Sequence, residues 1–145
     1  MKKLLILVIV VTLLLVGLAG CGGGGDDVVE IEERFFVAQF THINRNAADY
    51  IGRVVRYEGM FQTIHWHATG EDYHMVTRRT LGCCGDDGIV GFEVYLGEIE
   101  PFSDNAWVEV EGELEWYEVG EVRFLRVTAT SVRELDQRGE EFVTQ

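Results

Sequence analysis

From Gly52 onward, apolar and polar residues alternate with a period of two, the pattern of strands with one face buried and one face wet. The clearest run is Trp107 to Trp116. Val108, Val110, Leu114 and Trp116 fall on one face, and Glu109, Glu111, Glu113 and Glu115 fall on the other. A slip of one residue would bury four carboxylates, so the register is set by the pattern itself. The same reading predicts strands over 53–67, 73–80, 89–96, 106–117 and 122–135, separated by turn signals at Ala68–Asp72, at Leu81–Gly88 and at Val119-Gly120, with a longer connection from Gly97 to Asn105. Five strands with the longest connection after the third predict an all-β fold, a five-stranded OB-like Greek-key barrel. Gly59 and Gly112 lie inside strands, where a tightly curved barrel has no room for a side chain. The stretch before the barrel, residues 31–50, fits either a short helix or an extra strand.

The first residues are patterned differently. Lys2-Lys3 precede an apolar run from Leu4 to Val16, then small residues lead to Cys21. This is the layout of an export signal, and Leu18-Ala19-Gly20-Cys21 resembles a lipobox whose cysteine receives lipid after cleavage. An uncleaved anchor is the alternative. The expected organisation is therefore a lipoprotein signal peptide at 1–20, a lipidated cysteine and glycine-rich tether at 21–29, a barrel domain at 30–138 and a tail at 139–145. It places the domain on the extracytoplasmic face of a cell membrane, anchored through Cys21.

Charge narrows the partners. The 145 residues carry a formal net charge of −13, and both lysines sit in the signal segment. So acidic a surface repels phosphate backbones and argues against nucleic acid, while it suits a cation or a basic patch on a partner protein.

Three groups of residues are candidates for chemistry. If the first hairpin closes symmetrically, His65, His67 and His74 share one patch, with His67 facing His74, and three imidazoles are a donor set for zinc or copper. Cys83 and Cys84 stand between glycines with Asp87 three residues on. Adjacent thiols point to opposite faces of an extended chain and form only a strained, easily reduced disulfide, so the plain reading is one buried and one exposed thiol in a turn, with metal and redox roles as alternatives. Glu71 and Asp72 of the first hairpin and Glu118 and Glu121 of the last are expected to form one binding rim, because OB domains bring those two loops together. No catalytic set emerges, and no phosphate-cradling loop. The expectation is a protein without enzymatic activity.

Taken together, Tyr50-Ile51-Gly52-Arg53-Val54-Val55, Gly59-Met60-Phe61, Arg78, Cys83-Cys84 with Asp87 and Gly91, and Trp107 to Gly112 resemble the C-terminal domain of the YcgQ-like permease subunits, uncharacterised bacterial membrane proteins. The resemblance spans roughly Phe40 to Leu135 and implies an OB-like domain outside the cytoplasm beside a permease. Three features depart from that family: no transmembrane bundle, Asp86 in place of a small apolar residue, and an ending without prolines. The functional expectation is a lipid-anchored binding module, accessory to a membrane permease or another envelope protein. The alternatives are a metal-binding accessory lipoprotein, with zinc as its cofactor, that uses the histidines or the Cys83-Cys84 loop, and a thiol redox protein that uses those two cysteines.

Overall fold

Each alternating segment forms a strand, and the strands close on themselves. The protein is seen in a computed structural model that describes residues 28–67, 70–81 and 87–144. Its elements in chain order are β1 (Val29–Glu30), α1 (Phe36–Arg45), β2 (Val54–Trp66), β3 (Glu71–Leu81), β4 (Asp87–Tyr95), β5 (Trp107–Val119), β6 (Val122–Glu134) and β7 (Phe142–Val143). Strand β2 pairs antiparallel with β3 and with β5, β3 antiparallel with β4, β4 parallel with β6, and β6 antiparallel with β5. The circuit is a closed five-stranded OB-like barrel preceded by a short helix, as the alternation predicts. The short strands β1 and β7 lie parallel to β2 and β3 and cover part of the sheet edge.

Strand β2 serves two neighbours in turn. Val54 to Met60 pair with β5, whereas Met60 to Trp66 pair with β3, so the strand passes from one neighbour to the other around Gly59 and Met60. Strand β5 bends at a bulge, where Glu111 pairs with Ser131 but Gly112 pairs with Ala129, and Thr130 is left over. The inward side chains of Val55, Tyr57, Phe61, Val76, Phe92, Val94, Val108, Val110, Leu114 and Val127 fill the barrel.

Helix α1 settles the ambiguous segment. Phe36, Phe40 and Ile43 recur at helical spacing and point at one end of the barrel, Phe36 against the Tyr57 ring at 6.0 Å and Phe40 against Phe92 at 4.5 Å. The long connection after β4 carries no helix; Leu96, Ile99 and Phe102 pack on the core instead.

Two local expectations differ. Trp116 keeps the inward phase of Leu114 yet is 40 % exposed, because β5 past Glu113 has left β2 and runs on with β6 beyond the barrel wall. The segment expected as a tail is tied down: Phe142 and Val143 pair with Arg79 and Thr80, and Val143 is buried.

Candidate functional site

In a strand the side chains that do not fill the barrel point outward, and at one end of this barrel the outward set is not polar. Ile64 and Trp66 at the end of β2, Tyr73 and Met75 at the start of β3, Tyr117 and Val119 at the end of β5, and Val122 and Phe124 at the start of β6 face one another. The β2–β3 and β5–β6 hairpins rise on either side, with Gly70 and Gly120 taking positive φ in their turns. Between them lies a concavity of about 410 Å³ whose floor includes the Glu93 side chain. Ile64, Trp66, Val119, Val122 and Phe124 are each at least 40 % exposed there. Large apolar side chains scattered singly need no explanation, but a contiguous concave set marks a contact surface.

A second concavity of about 580 Å³ shares Tyr73, Glu93, Tyr117 and Val119 with the first and continues over Glu71, Asp72, Glu118, Tyr95 and Arg126. The groove thus has an apolar half and a polar half. Arg126 lies between the Tyr95 and Tyr117 rings at 4.6 and 4.7 Å and donates from Nε to Glu115 at 2.8 Å. Glu115 also accepts from Thr128 Oγ1 at 2.7 Å, and that bond, with Arg126 behind it, holds its carboxyl below the usual carboxylate range.

Glu93 sits where the halves meet. Removal from water pushes its carboxyl upward, only partly offset by the hydrogen bond donated by the Tyr117 hydroxyl and by the nearby Arg126 charge. The Tyr117 phenol is pushed up as well, by burial first and then by the carboxylate it touches. A carboxyl raised in the folded chain stabilises the fold below the ordinary carboxylate pKa, and that contribution is lost as pH rises through its raised value. Replacing Glu93 with glutamine keeps an acceptor for Tyr117 and removes the buried charge. Thermal melts from about pH 3.5 to about pH 7 should show Glu93→Gln gaining on the parent as pH rises. A gap that is constant with pH would mean the carboxyl is not desolvated.

The histidines do not converge. Gly70 N–H donates to the Trp66 carbonyl at 2.8 Å, which closes the hairpin so that Trp66 pairs with Glu71. That register sets His74 opposite Thr63 and His65 opposite Asp72, not His74 opposite His67. His65 Nδ1 lies 2.7 Å from Asp72, His67 stands beside His65 with ring centres 5.1 Å apart, and His74 stacks on Phe61 at 5.3 Å. Among the described residues no three histidine, cysteine, aspartate or glutamate side chains are placed to hold a metal ion, which corrects the metal-binding reading of the histidines. Cys21, Cys83 and Cys84 lie outside the described residues, and Asp87 opens β4 opposite Leu81.

The acidic rim fares differently. Glu71, Asp72 and Glu118 line the polar half, while Glu121 is exposed beyond it in the last hairpin. Sequence reasoning missed the floor: Trp66, Tyr73, Glu93, Tyr117, Phe124 and Arg126. The available signal was the phase of the alternation, which puts Ile64 and Trp66 opposite in direction to Phe61, and Phe124 and Arg126 opposite to Val127.

The N-terminal domain of PriB from Thermoanaerobacter tencongensis, a dimeric structure solved ab initio, is 17% identical over 58% of this chain and 97% of that one, with a TM-score of 0.35. No curated protein matches the chain. The expected resemblance to the YcgQ-like permease subunits is corrected to the family whose model matches the chain. The expected partner and location, a permease beside a lipid-anchored domain outside the cytoplasm, are withdrawn with it. They rested on that resemblance and on a signal segment and lipid at Cys21 that lie outside the described residues; among the described residues no helix is long and apolar enough to cross a membrane. Over residues 23–143 the sequence matches the DUF1980 C-terminal domain, and the chain belongs to that family.

Proposed function

We propose that this barrel is a binding module that performs no chemistry of its own, and that its site is the groove between the two hairpins. The observation that carries this reading is the convergence of Trp66, Tyr73, Tyr117 and Phe124 on one concavity, with apolar surface left in water. Exposed rings set in a hollow are costly to keep solvated and rewarding to cover, which is how binding sites differ from the rest of a surface. The placement agrees with the face and loops that OB barrels use for ligands.

Indole is a suitable probe, since it offers one flat apolar ring with one donor. Titrated into the full chain, it should shift the NMR signals of Tyr73, Tyr117 and Phe124. The Phe124→Asp variant, whose side chain is exposed and therefore outside the core, should fold normally and bind indole about tenfold more weakly, an aromatic contact being worth ~1 kcal/mol or more. Shifts centred instead on Val37, Thr41 and Arg45, which line a separate hollow on α1, would move the site to the helix.

A further inference from the structure

The two halves of the groove differ in what they would accept, and they are joined. We propose, building on the reading of the groove as a ligand site, that its occupant is an extended peptide segment of a partner protein. An aromatic or aliphatic side chain of that segment fills the apolar half, and an arginine or lysine side chain seats in the polar half.

The charge around the polar half supports this assignment. Glu71, Asp72 and Glu118 stand on its rim and Glu93 on its floor. Arg126 is already engaged, because it pairs with Glu115 and lies over the Tyr95 and Tyr117 rings, and His74, which also lines this half, stacks on Phe61. Arg123, nearby on β6, lies 3.6 Å from Glu118. The field a ligand meets is therefore negative, and an anionic group would be repelled. Each of these carboxylates already has a partner, His65 for Asp72, the Tyr73 hydroxyl for Glu71, Arg123 for Glu118 and the Tyr117 hydroxyl for Glu93, but a carboxylate accepts at several lone pairs, so a guanidinium or ammonium can join them. Glu93 is half-buried at the junction, where a charge-assisted hydrogen bond is stronger than one in open water.

The joined shape supports a peptide. The halves meet at Tyr73, Glu93 and Tyr117, so a single ligand reaches both. In an extended chain, residues i and i+2 point to the same side about 7 Å apart. That spacing lets one residue insert beside Trp66 and Phe124 while the next but one reaches the carboxylates. A second copy of this chain is a poorer occupant, since its net charge of −13 opposes its own approach.

The test uses three capped tripeptides, acetyl-Trp-Gly-Arg-amide, the same peptide with citrulline in place of arginine, and the same with glutamate. Each is titrated by NMR into the full chain and into the Glu93→Gln variant, at low and at high salt. The arginine peptide should bind about tenfold more tightly than its neutral citrulline twin. The glutamate peptide should bind most weakly, and the arginine preference should shrink in Glu93→Gln and in high salt. If arginine and citrulline peptides bind equally, with shifts still on Tyr73 and Phe124, the cation assignment falls and the groove reading stands. If no peptide shifts the groove, both fall. A concentration-dependent dimer whose formation broadens the same groove signals would replace the peptide with a second copy of the chain.

Discussion

Replacing Arg78 with methionine is expected to destabilise the fold by about 3 kcal/mol, the largest effect of any single side chain outside the barrel lining. Arg78 lies on β3 in the inward phase of Val76, and only 1 % of it is exposed. Its guanidinium lies between Phe36 and Trp107, 4.9 Å from each ring. Nε donates to the Glu58 carbonyl at 2.8 Å, and Nη1 donates to Glu33 at 2.9 Å and to the Glu140 carbonyl at 3.1 Å. One side chain thus joins the barrel wall, the segment entering α1 and the segment leading to β7. Methionine would fill the space between the rings but would leave the Glu58 and Glu140 carbonyls without this donor in a part-buried place. Glu33 adds less, because its side chain is 43 % exposed and water replaces the lost partner.

The same cluster sets an acid response. The Glu140 N–H, first, and the Arg78 guanidinium hold the Glu33 carboxyl below the usual carboxylate range. Stability from such a depressed pKa is present above the unfolded value and is lost as pH falls through the folded one. Urea unfolding should therefore show the gap between parent and Arg78→Met narrowing below about pH 4. A gap of under ~1 kcal/mol at neutral pH would show that the arginine is not the tie its contacts describe.

Replacing Gly112 or Gly91 with alanine is expected to cost about 3 kcal/mol or more, as much as a core cavity. A Cβ on Gly112 would collide with the Thr128 carbonyl, and one on Gly91 with the Val76 carbonyl. Both obstacles are backbone of the paired strand, so no side chain can swing aside. Gly59 is the milder case, its Cβ meeting the Thr77 carbonyl oxygen at 2.7 Å. Gly97 serves as the control, because nothing lies within 4 Å of its Cβ and only its φ of +60° opposes a side chain. Gly97→Ala should cost no more than ~1 kcal/mol. Equal losses at Gly97 and Gly112 in thermal melts would contradict the close strand contact.

The barrel was legible because one physical rule governs most of it. Val108, Val110 and Leu114 had to face inward once four glutamates were to stay wet, and Gly59 and Gly112 marked the places where the wall turns. The rule stops where burial does. Trp116 obeys the phase but not the burial, since alternation says which way a side chain points and not how far the barrel extends. The hairpin register failed for a local reason: the Gly70 turn chose the pairing, and it separated His67 from His74. Arg78 entered the sequence reading through the family resemblance and not through its phase with Val76, which pointed inward. Glu71, Asp72 and Glu118 could be placed near one another because both hairpin loops carry carboxylates in plain view, whereas Glu121 falls outside the groove. The groove floor was not legible, because its aromatic side chains come from four strands and only the closed fold brings them together.

The measurement that bears most directly on the account is an NMR screen of small aromatic, aliphatic and sugar fragments against the full chain. Aromatic and aliphatic fragments are expected to shift one common set of signals, those of Tyr73, Tyr117, Phe124 and the Trp66 indole. Fragments that gather instead on α1 around Val37 and Thr41, or at the hollow between Glu58 and Leu135 to Gly139, would contradict this expectation.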